Sequence, residues 1–188
     1  MNLPHKTVII YLQFSNDYKR NLSLAILKPD ELNIISHSDD QTRRYGAKLG
    51  TLLRMGDVIC LSGDMGAGKT VFTSGIGVGW GSQYPVTSPT FNLVHEHRRE
   101  KDRQHLYHLD CYRLNNASEV ASIGFDDLFD TGILIIEWPE RIESALPEHR
   151  LWIEFRVLDE RRRNIIFEGN NTRYLDLIKQ FREATFGA

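Results

Sequence analysis

Apolar positions recur along this chain with two periods. Tyr45, Leu49, Leu52 and Leu53 fall at i, i+4, i+7 and i+8, the spacing of one helix face, and Ser38-Asp39-Asp40-Gln41 ahead of them fits a capping box with Ser38 at the N-cap and Gln41 at N3. Ordered structure is expected from there on. After the turn Gly56-Asp57, the unbroken apolar run 58–61 predicts a strand. The run 133–136, bounded by Thr131-Gly132 and by Glu137-Trp138-Pro139, reads as a central strand covered on both faces. Segments 91–97 and 104–113 are β-like around the charged turn 98–103, and 151–157 with 164–168 form a late hairpin. Helices are predicted from Lys69 to about residue 78, closed by Gly75, Gly77, Gly79 and Gly81; over 117–123; and over 172–184, with Leu175, Ile178 and Phe181 on one face. Strands alternating with helices make the class α/β, with a mixed, mainly parallel sheet carrying antiparallel edge strands.

Residues 7–12 fit a short strand, but 16–21 carry no period. Residues 1–32 therefore read as an N-terminal extension, poorly ordered, the product of an upstream start codon or, on the weakest grounds, a functional arm, and 33–188 as the domain.

The candidate chemistry sits between the first apolar strand and the helix at Lys69. Gly63-Asp64-Met65-Gly66-Ala67-Gly68-Lys69-Thr70 fits Gly-x4-Gly-Lys-Ser/Thr without a mismatch. That spacing turns successive backbone N–H groups inward on nucleotide phosphates, sets the Lys69 ammonium on the β/γ oxygens and leaves the Thr70 hydroxyl for Mg2+. Val71 completes the predicted contacts in the first helical turn. A cradle of this kind needs a carboxylate at the end of a neighbouring strand. Two qualify: Glu137, expected as the metal ligand, and Asp110, expected as a second acid near the γ-phosphate. The bland alternative for each is a helix cap or a solvated strand end. Thr87-Ser88-Pro89-Thr90 is either a switch-like loop sensing the γ-phosphate through Thr87 or Thr90, or a turn entering a strand.

Bulk properties narrow the classes. A chain of 188 residues fits one domain, and a net charge of −2 argues against holding nucleic acid by bulk electrostatics. Two cysteines, Cys60 and Cys111, suggest reduced thiols rather than a disulfide framework. His95 and His97 share a strand face while His105 and His108 fall on opposite faces of the next strand, and no cysteine or carboxylate stands at a metal-ligand spacing from them, so no zinc site is expected. Without a membrane span or a signal peptide, a soluble cytoplasmic protein is expected.

Five blocks in order resemble one family: Gly-Asp-Met-Gly-Ala-Gly-Lys-Thr (63–70), Thr-Ser-Pro-Thr-Phe-Asn-Leu-Val (87–94), His-Leu-Asp-Cys-Tyr-Arg-Leu (108–114), Ile-Gly-Phe-Asp-Asp (123–127) and Ile-Ile-Glu-Trp-Pro-Glu-Arg (135–141). They resemble TsaE (formerly YjeE), the bacterial ATPase needed to make threonylcarbamoyladenosine in tRNA. The resemblance implies a P-loop NTPase fold, ATP hydrolysis with Mg2+, and assembly with TsaD and TsaB. TsaD carries out transfer onto tRNA, ATP turnover resets the assembly, and tRNA is met indirectly. By matching motifs it gives Thr70 and Glu137 as Mg2+ ligands, Lys69 and Asp110 as further essential groups, and Thr90 as part of the switch-like loop with Thr87 and Ser88. It also implies a nucleotide-contacting arginine near the late hairpin, here assigned to Arg162 among Arg161, Arg162 and Arg163, and contacts from residues 38–41, hence Asp39.

A small-molecule or nucleotide kinase is the rival enzymatic reading, but no segment supplies an arginine-bearing lid. A GTPase fits less well, since Asn-Lys-x-Asp is absent, as is Asp-x-x-Gly after the switch-like loop. A binding module with little turnover is the third class.

Overall fold

Parallel strands build the centre of the sheet, because residues 58–61 and 133–136 are apolar on both faces and stable only when both are covered. The computed structural model describes residues 31–89, 93–114, 116–121 and 124–187. Among them seven strands form one sheet: β1 (Glu31–Ser36), β2 (Val58–Gly63), β3 (Val94–Arg98), β4 (His105–Asp110), β5 (Gly132–Glu137), β6 (Leu151–Val157) and β7 (Arg163–Gly169), in the order β1-β7-β6-β2-β5-β4-β3. β6, β2, β5 and β4 run parallel; β3 at one edge and the β6–β7 and β7–β1 pairs at the other are antiparallel. This is the mixed α/β sheet expected from the sequence. The segment 7–12 lies outside the described residues.

Alternation on the strands divides the core in two. On one face Ile59, Leu61, Ile133, Ile135, Ile153 and Phe155 pack against Leu49 of α1 (Asp39–Gly50), Phe72 and Ile76 of α2 (Lys69–Trp80), and Leu177 and Phe181 of α5 (Thr172–Phe186). On the other, Val58, Cys60, Leu109, Leu134 and Ile136 meet Val120 of α3 (Ser118–Ala121), Phe125 of α4 (Phe125–Thr131) and Ile142 of the 3-10 helix Pro139–Ala145. Each fully buried Leu, Ile or Phe contributes about 2 kcal/mol. Burial pushes both thiols, Cys60 and Cys111, up to about 12, so they are inert packing groups. Asp57, almost fully buried before β2, is tied to α5 by Arg173 at 2.5 and 2.8 Å.

The structure departs from the sequence reading in four places. β1 precedes α1, so order begins before Ser38: Leu32, Ile34 and Ser36 are buried and β1 pairs with β7 from Glu31 to Ser36, across the boundary expected at residue 32. Of the four glycines expected to close α2, only Gly81 caps it, with φ 89°; Gly75 and Gly79 lie inside the helix. Their role is packing: a Cβ on Gly75 or Gly79 strikes the backbone of Arg43 or Ala47 in α1, as one on Gly46 or Gly50 of α1 strikes that of Phe72 or Ile76. α1 and α2 thus meet backbone to backbone. On α5 the buried face is Tyr174, Leu177, Ile178 and Phe181, and Leu175 is exposed, because the i, i+3, i+4, i+7 set starts one residue earlier. Finally, residues 125–131 form α4, where the sequence pattern predicts only a turn at Thr131-Gly132.

Candidate nucleotide site

β2 delivers the chain to Gly63 at the carboxyl end of the sheet, and α2 carries it away from Lys69. Between them the loop needs backbone angles closed to most side chains: Gly66 and Gly68 have φ 77° and 104°. Gly68 is the N-cap of α2 and offers no side-chain capping bond, so amides of the first turn face the loop, where an anion completes them.

Lys69 is 4% exposed, and its Nζ donates to the carbonyls of Gly63 at 2.5 Å and Asp64 at 2.9 Å. The ammonium also lies 3.9 Å from the centroid of the Trp138 ring. Burial pushes its pKa down, against the pull of Glu137, Glu140, Asp110 and Asp64. An arriving phosphate therefore meets a largely buried cation whose direct contacts among the described residues are two carbonyls and a ring face. Trp138 itself takes φ 58°, the one positive-φ residue other than glycine among those described, and packs on Tyr112 at 5.0 Å between ring centroids. That conformation is strained for a bulky side chain and turns the indole over the loop.

The two strand-end acids stand side by side. β4 and β5 run parallel with Asp110 opposite Glu137, and β5 neighbours β2, which feeds the loop. Glu137 is 2% exposed; its Oε2 accepts from Thr70 Oγ1 at 3.0 Å and its Oε1 is 2.9 Å from His108 Nε2. Asp110 is half-buried and accepts from Ser88 Oγ at 3.1 Å and from the Tyr112 amide at 3.1 Å. The geometry thus brings together Lys69, Thr70, Glu137, Asp110 and Ser88.

The remaining expected residues are distributed as follows. Asp64, Met65 and Gly66 are exposed on the loop, Ala67 is buried beneath it and Val71 is half-buried in α2. Asp39 is the exposed first residue of α1; its N-cap Ser38 accepts from the Gln41 amide at 3.1 Å, and Thr42, three residues on, lies beside Gly68. Thr87 is exposed, and Thr90 lies outside the described residues. Arg162 does not reach the loop: Asp159 holds its Nε at 2.6 Å. The neighbouring Arg163 does, with one guanidinium nitrogen 3.5 Å from the Gly66 carbonyl. A β-strand alternates its side chains, so in a run of three arginines only the pairing register decides which one faces the loop. The sequence weighs His108 only as a zinc ligand, because its partner Glu137 comes from another strand; its position two residues before Asp110, on the same face, is the available signal.

The family profile described as "Threonylcarbamoyl adenosine biosynthesis protein TsaE" matches residues 36–165. The chain belongs to the TsaE family. It is 40% identical over 135 residues to the tRNA threonylcarbamoyladenosine biosynthesis protein TsaE of Treponema pallidum, covering 71% of this chain and 98% of that one. It is 36% identical to the TsaE protein of Bacillus subtilis, covering 72% and 84%. The crystal structure of Bacillus subtilis YdiB superposes with a TM-score of 0.68 at 30% identity, over 81% of this chain and 95% of that one, and the sheet is that of a P-loop NTPase. These TsaE relatives lend the kinase reading no support. No helix among the described residues is long and apolar enough to cross a membrane.

Proposed function

We propose that this TsaE-family chain is a cytoplasmic, Mg2+-dependent ATPase that acts with TsaD and TsaB in threonylcarbamoyl modification of tRNA adenosine, meeting tRNA only through that assembly. The observation that carries the ATPase part is the convergence of Thr70 and Glu137, 3.0 Å apart, beside the buried Lys69. Hydroxyl and carboxylate oxygens are the donors Mg2+ takes, so Thr70 and Glu137 fit it, and when bound the ion offsets charge on the β- and γ-phosphate oxygens.

The side chains then divide the work. Lys69 exchanges its two carbonyl partners for phosphate oxygens, which restores the solvation it lacks. The first-turn amides of α2 and the loop from Gly63 to Gly68 hold the phosphate tail. Asp110, tethered by Ser88 and Tyr112, keeps a second carboxylate beside Glu137 to orient the attacking water. Its link to Ser88 couples the switch-like loop, with Thr87 and Thr90, to the site. Arg163 rather than Arg162 supplies the hairpin guanidinium, and Asp39, three residues before the Thr42 that lies beside Gly68, contacts the nucleoside.

The test is reconstitution of threonylcarbamoyl transfer with TsaD, TsaB, tRNA and ATP, with and without this chain. Repeated rounds of modification that require both the chain and hydrolysable ATP are expected. Multiple turnover independent of the chain contradicts the proposal.

A further inference from the structure

We infer that His108 is a positioning residue for the site: its imidazole fixes the Glu137 carboxylate so that Oε2 faces Thr70 and a bound divalent cation. This rests on the nucleotide reading above.

His108 and Glu137 are both buried, at 0% and 2% exposure, and a carboxylate that deep needs a hydrogen-bond donor on each oxygen. Oε2 takes the Thr70 hydroxyl. For Oε1 there are two neighbours among the described residues, His108 Nε2 at 2.9 Å and Thr73 Oγ1 at 3.3 Å. The Thr73 hydroxyl has a single hydrogen, and it also lies 3.0 Å from the Lys69 carbonyl one turn back in α2, the shorter of its two contacts. His108 is therefore the donor that holds Oε1. An ionised carboxylate has no hydrogen to give, so in this contact Nε2 carries it.

Packing alone does not account for an imidazole at this place. On β4 and β5 its neighbours on the same sheet face, Leu106, Ile133 and Ile135, are fully buried and apolar, and an aliphatic residue fits against them; on β3 its cross-strand partner is His95. Among the described residues, the buried His108 Nδ1 finds no partner. A ring that leaves one nitrogen unpartnered there is explained by what the other nitrogen does. That other nitrogen points at the acid beside the cradle, from the middle of a strand flanked by β3 and β5. Groups that orient a metal's carboxylate in this way typically set metal affinity by about 10–100-fold.

The test uses the full chain with His108→Leu, which fills the space without a donor, and His108→Gln, which keeps an N–H donor. Mn2+ binding in the presence of a non-hydrolysable ATP analogue is read by electron paramagnetic resonance, alongside analogue binding in EDTA. His108→Leu is expected to weaken Mn2+ binding about 10–100-fold while metal-free nucleotide binding stays as in wild type, and His108→Gln to recover most of the loss. Wild-type Mn2+ affinity in His108→Leu, or no recovery in His108→Gln, overturns the inference and leaves the nucleotide reading standing. Absence of analogue binding by the wild-type chain overturns both. Should His108→Leu fail to fold, His108→Asn, whose amide is too short to reach Glu137, takes its place with the same expected loss.

Discussion

The hydroxyl of Thr70 donates to Oε2 of Glu137 across 3.0 Å, although 67 residues separate them. Strand pairing produces this meeting: Leu61 of β2 lies opposite Glu137 of β5, and the turn from Gly63 brings Thr70 back over the strand end. The contact is pre-formed, so little reorganisation stands between the free site and one that holds a cation.

If Glu137 acts on the cation or on water, Glu137→Gln, which keeps its shape, lowers ATP turnover by roughly 100-fold or more while changing nucleotide affinity much less. Steady-state hydrolysis and equilibrium titration on the same preparations check this. Equal turnover in wild type and variant removes Glu137 from the chemistry.

Gly79→Ala separates helix propensity from packing. Propensity alone favours alanine by about 1 kcal/mol. The new Cβ, however, strikes the Ala47 backbone in α1, which cannot rotate away as a side chain can. Overpacking wins, and the variant loses about 1–3 kcal/mol, seen as a lower urea midpoint at unchanged slope. A stabilised Gly79→Ala contradicts the backbone-to-backbone contact of α1 and α2.

Much of the fold was legible because its signals are local. The apolar runs of β2 and β5, the Ser38–Gln41 capping box and the cradle each occupy a few consecutive residues. What depended on partners was not. β1 went unseen because Leu32, Ile34 and Ser36 alternate over a stretch too short to stand out, and it is a strand by virtue of pairing with β7. Gly75 and Gly79 look like helix breakers until α1 is packed on them. At the site the loop and both acids could be named from the sequence, whereas Arg163 over Arg162 and the His108 contact depend on strand register, which no local pattern fixes.

Burial, with the charges of His108 and His95, pushes His97 down from 6.5 to about 4. Its folded value is depressed, so between pH 6.5 and about 4 the unfolded chain binds a proton that the folded chain refuses. Stability contributed by neutral His97 is thus full above pH 6.5 and lost as pH falls through that window. With partial exposure the slope is at most about 1 kcal/mol per pH unit. Urea denaturation at pH 7 and pH 5 should show a smaller loss in His97→Gln than in wild type; equal losses contradict the assignment.

Lys69 tests the central claim most directly. Calorimetric titration of the full chain with a non-hydrolysable ATP analogue and Mg2+ is expected to show one site per chain, weakened roughly 100-fold in Lys69→Ala, because a buried charge-assisted contact to the phosphates is lost. Unchanged affinity in Lys69→Ala, with the variant folded, contradicts the cradle as the place where nucleotide binds.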